Sequence, residues 1–174
     1  MLKKNINPLF IFFLMLSSCV FHEDLLRNTR EDYLNDNIRI DGFYYAYSDE
    51  GQIRNNIFFL YRNGVYFSVV GDGQERTKPE EVKTLLTEER LKRLAQYKDL
   101  WGIFLIKGND ILLESWSITH GNHYSVIESG YILNDTTFTI TKRDDNLSGI
   151  SNSNYTYYFY PYSPKPDSTN VFIE

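Results

Sequence analysis

The chain has 174 residues, 42% of them hydrophobic, and a formal net charge of −5. That acidic balance excludes a phosphate-backbone binder of nucleic acid and adhesion to anionic headgroups through a basic patch. Twenty-eight aromatic residues (14 Tyr, 12 Phe and 2 Trp) gathered in short runs favour strands over helices, so an all-β domain is expected.

At the start of the chain, Lys3 and Lys4 precede the apolar run Pro8–Leu16. A resident membrane helix needs about 20 apolar residues, so this run reads as an export signal. It ends at Leu16-Ser17-Ser18-Cys19, just before the charged stretch from His22 onward, and Cys19 is the only cysteine. A lone thiol forms no internal disulfide and would be a liability after export. These four residues resemble the cleavage motif of bacterial lipoprotein signal peptides. The resemblance implies removal of residues 1–18, a diacylglyceryl thioether on Cys19 and an amide-linked acyl chain on its new amino group. It places the protein at the outer membrane of a Gram-negative cell, with the membrane as partner through acylated Cys19. Glu23 and Asp24 resemble a surface-export tag, and the periplasmic side and the cell surface both stay open.

Removal of the signal leaves 156 residues with 16 basic and 23 acidic side chains, a net −7. That length fits one domain. Residues 19–36 are charged and read as a tether, turning helical near Glu23 to Leu34, ahead of a single domain over 37–174.

The first strand is expected at Ile38–Tyr47, with aromatics on both faces and Gly42 marking a bulge or bend. Asn56–Val70 reads as a hairpin whose Asn63-Gly64 pair suits a type I′ turn. Thr87 caps a helix over roughly 87–98, with Leu91, Leu94 and Tyr97 at helical spacing. Trp101–Lys107 and Ile111–Ile118 flank Gly108-Asn109-Asp110 as a second hairpin. His123–Leu133 and Thr136–Lys142 flank Asn134-Asp135 as a third. Asp144–Asn154 is rich in Ser, Asn and Gly and reads as a loop. Tyr155–Tyr162 closes the set, and Val171-Phe172-Ile173 is apolar enough to dock back.

About eight antiparallel strands in meander order, with one helix between the third and fourth, can close into a barrel that has no free edges. A β-sandwich uses the same elements, and periodicity leaves that alternative open. From Asp41-Gly42-Phe43-Tyr44 through Trp101-Gly102-Ile103-Phe104 and Gly108-Asn109, the chain resembles small lipocalin-like lipoproteins of Gram-negative bacteria. The resemblance implies a lipocalin-like barrel around a ligand. The Gly-x-Trp signature of true lipocalins is replaced here by Gly42-Phe43-Tyr44.

His120 and His123, with Glu114 and Glu128 nearby, straddle a turn and lack a third ligand at motif spacing, so no metal is expected. No nucleophile-elbow or phosphate-loop pattern is present, and neither an enzyme nor a cofactor is expected. Asp135-Thr136-Thr137 and Asp167-Ser168-Thr169 resemble an O-glycosylation acceptor motif of some Gram-negative exported proteins. The candidate ligand-binding residues are Tyr44, Tyr45, Tyr47, Phe59, Tyr61, Tyr66, Trp116, Tyr124 and Tyr158, because such rings offer a flat apolar body, most with a polar tip. The expected function is non-catalytic binding of a small apolar or amphipathic ligand. The alternative is a structural or protein-interaction lipoprotein with a solid barrel and an exposed aromatic patch.

Overall fold

The computed structural model describes residues 25–54 and 56–174; the leader and Cys19 lie outside them. Eight strands run in sequence order and close into one antiparallel barrel. They are β1 (Gly42–Ala46), β2 (Asn56–Leu60), β3 (Val65–Val70), β4 (Trp101–Lys107), β5 (Asp110–Thr119), β6 (Asn122–Asn134), β7 (Thr137–Asp145) and β8 (Gly149–Pro161). Closure is made by β1 against β8, from Gly42 opposite Pro161 to Ala46 opposite Tyr157. The barrel removes both sheet edges, which sets aside the sandwich. Two short helices, α1 (Pro79–Val82) and α2 (Glu88–Leu94), lie between β3 and β4. Thr87 caps α2 by accepting from Arg90 N–H.

Two cores organise the molecule. Inside the barrel, Tyr44, Phe58, Leu60, Phe104, Leu113 and Phe138 pack together. On the outer face of β1–β4, Phe43, Phe59, Phe67 and Trp101 form a second core with Val82, Leu85 and Leu86, and Leu91, Leu94, Phe172 and Ile173 pack against it. Period-two alternation sends Phe43 out and Tyr44 in. The doubly aromatic first strand is therefore explained without a second ligand: one face fills the barrel, and the other is covered by the chain's own helices and tail.

One barrel end is plugged. The Tyr33 ring is 5% exposed, its hydroxyl accepts from Ile38 N–H at 2.9 Å and its centroid is 5.5 Å from that of Phe104. Lys165 Nζ donates to the carbonyls of Ile40 and Leu60, each at 2.6 Å, and ties the tail to the same end.

Several elements differ from the sequence expectation. Residues 25–36 are not helical, and they lie fastened along the barrel wall from Arg27 onward. The stretch 144–154 is mostly paired, since Asp144 sits opposite Ile150 and Asp145 opposite Gly149. At Asn63-Gly64 only the glycine has positive φ (72°), so the turn is not type I′. Gly64 N–H donates to Tyr61 O at 3.0 Å, and Tyr61 N–H donates to Val65 O at 3.0 Å. That is a type I turn closed by a left-handed glycine. A Cβ there would also lie 1.9 Å from Glu31 O, because the N-terminal segment crosses the turn.

Candidate functional site

Towards the other end, the inward residues change from apolar to polar. On β3 the inward series is Tyr66, Ser68; on β5 it is Leu113, Ser115, Ser117, as the pairing of Gly102 with Ser115 and Phe104 with Leu113 requires. On β6 and β7, Glu128 sits directly opposite Arg143. Short hydroxyls leave space where Leu or Phe would fill it, and the result is a cavity of about 610 Å³. Its floor is Phe58, Tyr66 and Tyr157, with the Phe58 ring 5.4 Å from Tyr66 and 5.1 Å from Tyr157. Gly102 permits this floor, because a Cβ at that position would meet the Tyr66 ring at 2.4 Å. Ser48, Val70 and Ile118 stand towards the mouth, and Val70 and Ile118 are exposed. Beyond Phe67 opposite Trp101, β3 has no partner on β4, and the single 3-10 turn Lys98–Leu100 stands there instead.

The cavity lining carries four charged side chains, Arg54, Asp99, Glu128 and Arg143. Arg143 NH1 is 3.2 Å from Glu128 Oε1, and its NH2 is 3.7 Å from Asp145 Oδ2. The Arg54 guanidinium lies 3.6 Å from the centroid of Tyr155 and has no carboxylate partner among the described residues. Burial pushes the Tyr66 and Tyr157 hydroxyls well above the ordinary tyrosine range, and the nearby Glu128 charge adds to both shifts.

The nine sequence candidates separate into several places. Tyr66 and Trp116 line the cavity. Trp116 is 5% exposed, with Lys98 Nζ 4.4 Å above its ring. Tyr44 is inside the barrel but in the closed half, donating to Arg39 O at 2.8 Å. Phe59 and Tyr61 belong to the outer core. Tyr45, Tyr47 and Tyr158 form an outer cluster with ring centroids 5.5–6.2 Å apart, and Tyr47 and Tyr158 are exposed. Tyr124 is half-buried on β6 opposite Ser117.

Sequence reasoning missed Arg54, Ser68, Ser115, Arg143 and Tyr155, and met Glu128 only as a metal candidate. The available signal was that Tyr155, Tyr157 and Phe159 share one face of β8, which separates them from Tyr158. His120 occupies a hairpin tip with φ 52°, and His123 pairs back to Ile118. Glu114 is fully buried on the outer wall, where it accepts from Arg27 N–H, from Asn28 N–H and Nδ2, and from Ser125 Oγ. Among the described residues, no group of three or more His, Cys, Asp or Glu side chains is placed to hold a metal ion. Comparison with known protein families, curated proteins and solved structures finds no match.

Proposed function

We propose that the protein is a lipid-anchored, non-catalytic binding module whose barrel-end cavity takes a small amphipathic ligand. The observation that carries this reading is the cavity itself, about 610 Å³ within a barrel otherwise filled by side chains. That volume falls within the usual range for small-molecule sites. Its aromatic floor suits the apolar part of such a ligand, and its serines and arginines suit the polar part.

The anchor rests on the Leu16-Ser17-Ser18-Cys19 motif. The chain is clamped at Arg27, so Cys19 is eight residues upstream, a reach of at most about 28 Å. A domain held on so short a lead stays close to the bilayer of the outer membrane. Radiolabelled palmitate fed to expressing cells should enter the protein and should not enter the Cys19→Ser variant.

Binding is tested with N-phenyl-1-naphthylamine, an amphipathic probe that fluoresces in apolar surroundings. The wild-type domain should bind it, and Ser68→Phe, which fills the cavity, should abolish binding at unchanged secondary structure. Equal binding by both proteins would place the probe elsewhere and remove the reading's support.

One observation favours a second reading, a protein-interaction role. The Tyr45, Tyr47 and Tyr158 rings form a half-exposed aromatic cluster on the outer wall. Under that reading, Tyr47→Ser with Tyr158→Ser abolishes complex formation in membrane pull-downs and leaves probe binding intact.

A further inference from the structure

Resting on the cavity reading above, we infer that the ligand is zwitterionic, its cationic group against Glu128 and the aromatic floor and its anionic group on Arg54. Arg143 is shared between Glu128 at 3.2 Å and Asp145 at 3.7 Å, so that wall has one carboxylate more than it has guanidinium. Arg54 has no carboxylate within ion-pair distance among the described residues, and its plane rests on Tyr155. Among the lining residues the charges of Arg54, Arg143, Asp99 and Glu128 sum to zero.

An anion alone satisfies Arg54 and leaves the excess carboxylate unanswered, and a cation alone does the reverse. A neutral head answers neither. A ligand carrying both charges answers both and keeps the half-buried site neutral, which avoids the cost of adding a net charge to a poorly solvated space. The cationic end has a further reason to sit deep. Glu128 lines the same cavity as Tyr66 and Tyr157, so a carboxylate and aromatic rings meet there. Quaternary and primary ammonium groups are held by that combination. Arg54, Glu128 and Tyr157 line one cavity of about 610 Å³, so the two poles lie within one small ligand's reach. A planar guanidinium presents paired donors to a carboxylate or phosphate.

The test is a calorimetric titration with four ligands that share an octyl tail: N-octyl-N,N-dimethylglycine, octanoate, octyltrimethylammonium and octyl glucoside. The zwitterion should bind at least about tenfold more tightly than each of the others, the factor expected when one charged hydrogen-bonded pair is gained. Arg54→Gln should remove that advantage and leave octyltrimethylammonium binding unchanged, whereas Arg54→Lys retains part of it. Glu128→Gln should remove the advantage and spare octanoate, with thermal unfolding confirming that the variant is folded. Tightest binding by octanoate, by octyltrimethylammonium or by the glucoside overturns the zwitterion. Failure of all four alongside Ser68-dependent binding of N-phenyl-1-naphthylamine also overturns it, and leaves the cavity reading standing. Loss of that Ser68 dependence brings down both.

Discussion

Glu114 shows how one side chain sets the course of a whole segment. It is fully buried, and it offers two carboxylate oxygens to donors from Arg27, Asn28 and Ser125. Arg27 adds Nε to Ser125 Oγ at 3.1 Å and NH1 to Asp144 Oδ2 at 3.2 Å. A carboxylate buried on a barrel wall is tolerated because several N–H and O–H groups replace its water. Glu114→Gln keeps the volume but turns one acceptor into a donor facing N–H groups. Equilibrium unfolding of that variant should show a loss of about 2–4 kcal/mol, the range for breaking a buried charged cluster. Tryptic cleavage after Arg27 and Arg30 should accelerate in native buffer. At Gly102 the limit is steric instead. Gly102→Ala places a methyl against the Tyr66 ring and Glu114 O, both 2.4 Å from the ideal Cβ position, and should cost about 1–3 kcal/mol by denaturant titration.

Among the elements, the connection from β3 to β4 does more than span a gap. It covers the outer face of β1–β4, and the Trp101 ring stacks on Phe67 at 4.6 Å while its Nε1 donates to Ala95 O at 2.9 Å. Trp101→Ala should therefore destabilise the domain by about 3–5 kcal/mol and loosen α2, read as faster amide exchange over residues 88–94. Much of the strand layout was legible because local chemistry and register agree. Trp101–Lys107, apolar through Ile106 and ended by a Gly-Asn turn, is β4 with the same bounds. The segment 144–154 was illegible because its pairing is carried by backbone groups, whereas its Ser and Asn side chains signal only solvent. That the tail docks back was legible in its apolar Phe172 and Ile173, but the face that it, α1 and α2 cover, with Phe43, Phe59 and Phe67, was hidden, since strand periodicity reports which residues share a face and not what lies against it. The polar part of the cavity lining was missed for a related reason. Inward serines and arginines break the apolar alternation by which an inner face is recognised, so Ser68, Ser115 and Arg143 read as solvated positions.

For the whole molecule, burial of titratable groups sets an alkaline stability profile with two opposing limbs. The hydroxyls of Tyr44, Tyr61, Tyr66 and Tyr157 are all pushed up, chiefly by burial. Folded tyrosines stay protonated while unfolded ones ionise near pH 10, so their contribution is fully present below about pH 10 and is lost above it. Lys165 acts in the other direction. Burial lowers its ammonium to about 8, so between pH 8 and the ordinary lysine range the unfolded chain binds more protons and stability rises. Stability should climb modestly from pH 8 towards 10 and then fall steeply. Denaturant midpoints at half-unit steps check the shape, and Lys165→Met should flatten the first limb and leave the second.

The barrel thus divides its interior into a plugged, aromatic half and a half left spacious by serines and lined by Arg54, Asp99, Glu128 and Arg143. The proposed ligand site is the spacious half. The most direct measurement is a two-dimensional amide NMR titration of the 25–174 domain with N-octyl-N,N-dimethylglycine below its micellar concentration. Shifts are expected at Ser68, Ser115, Glu128, Tyr155 and Tyr157. Shifts confined to the outer wall at Tyr45, Tyr47 and Tyr158, with the cavity residues unmoved, would contradict it.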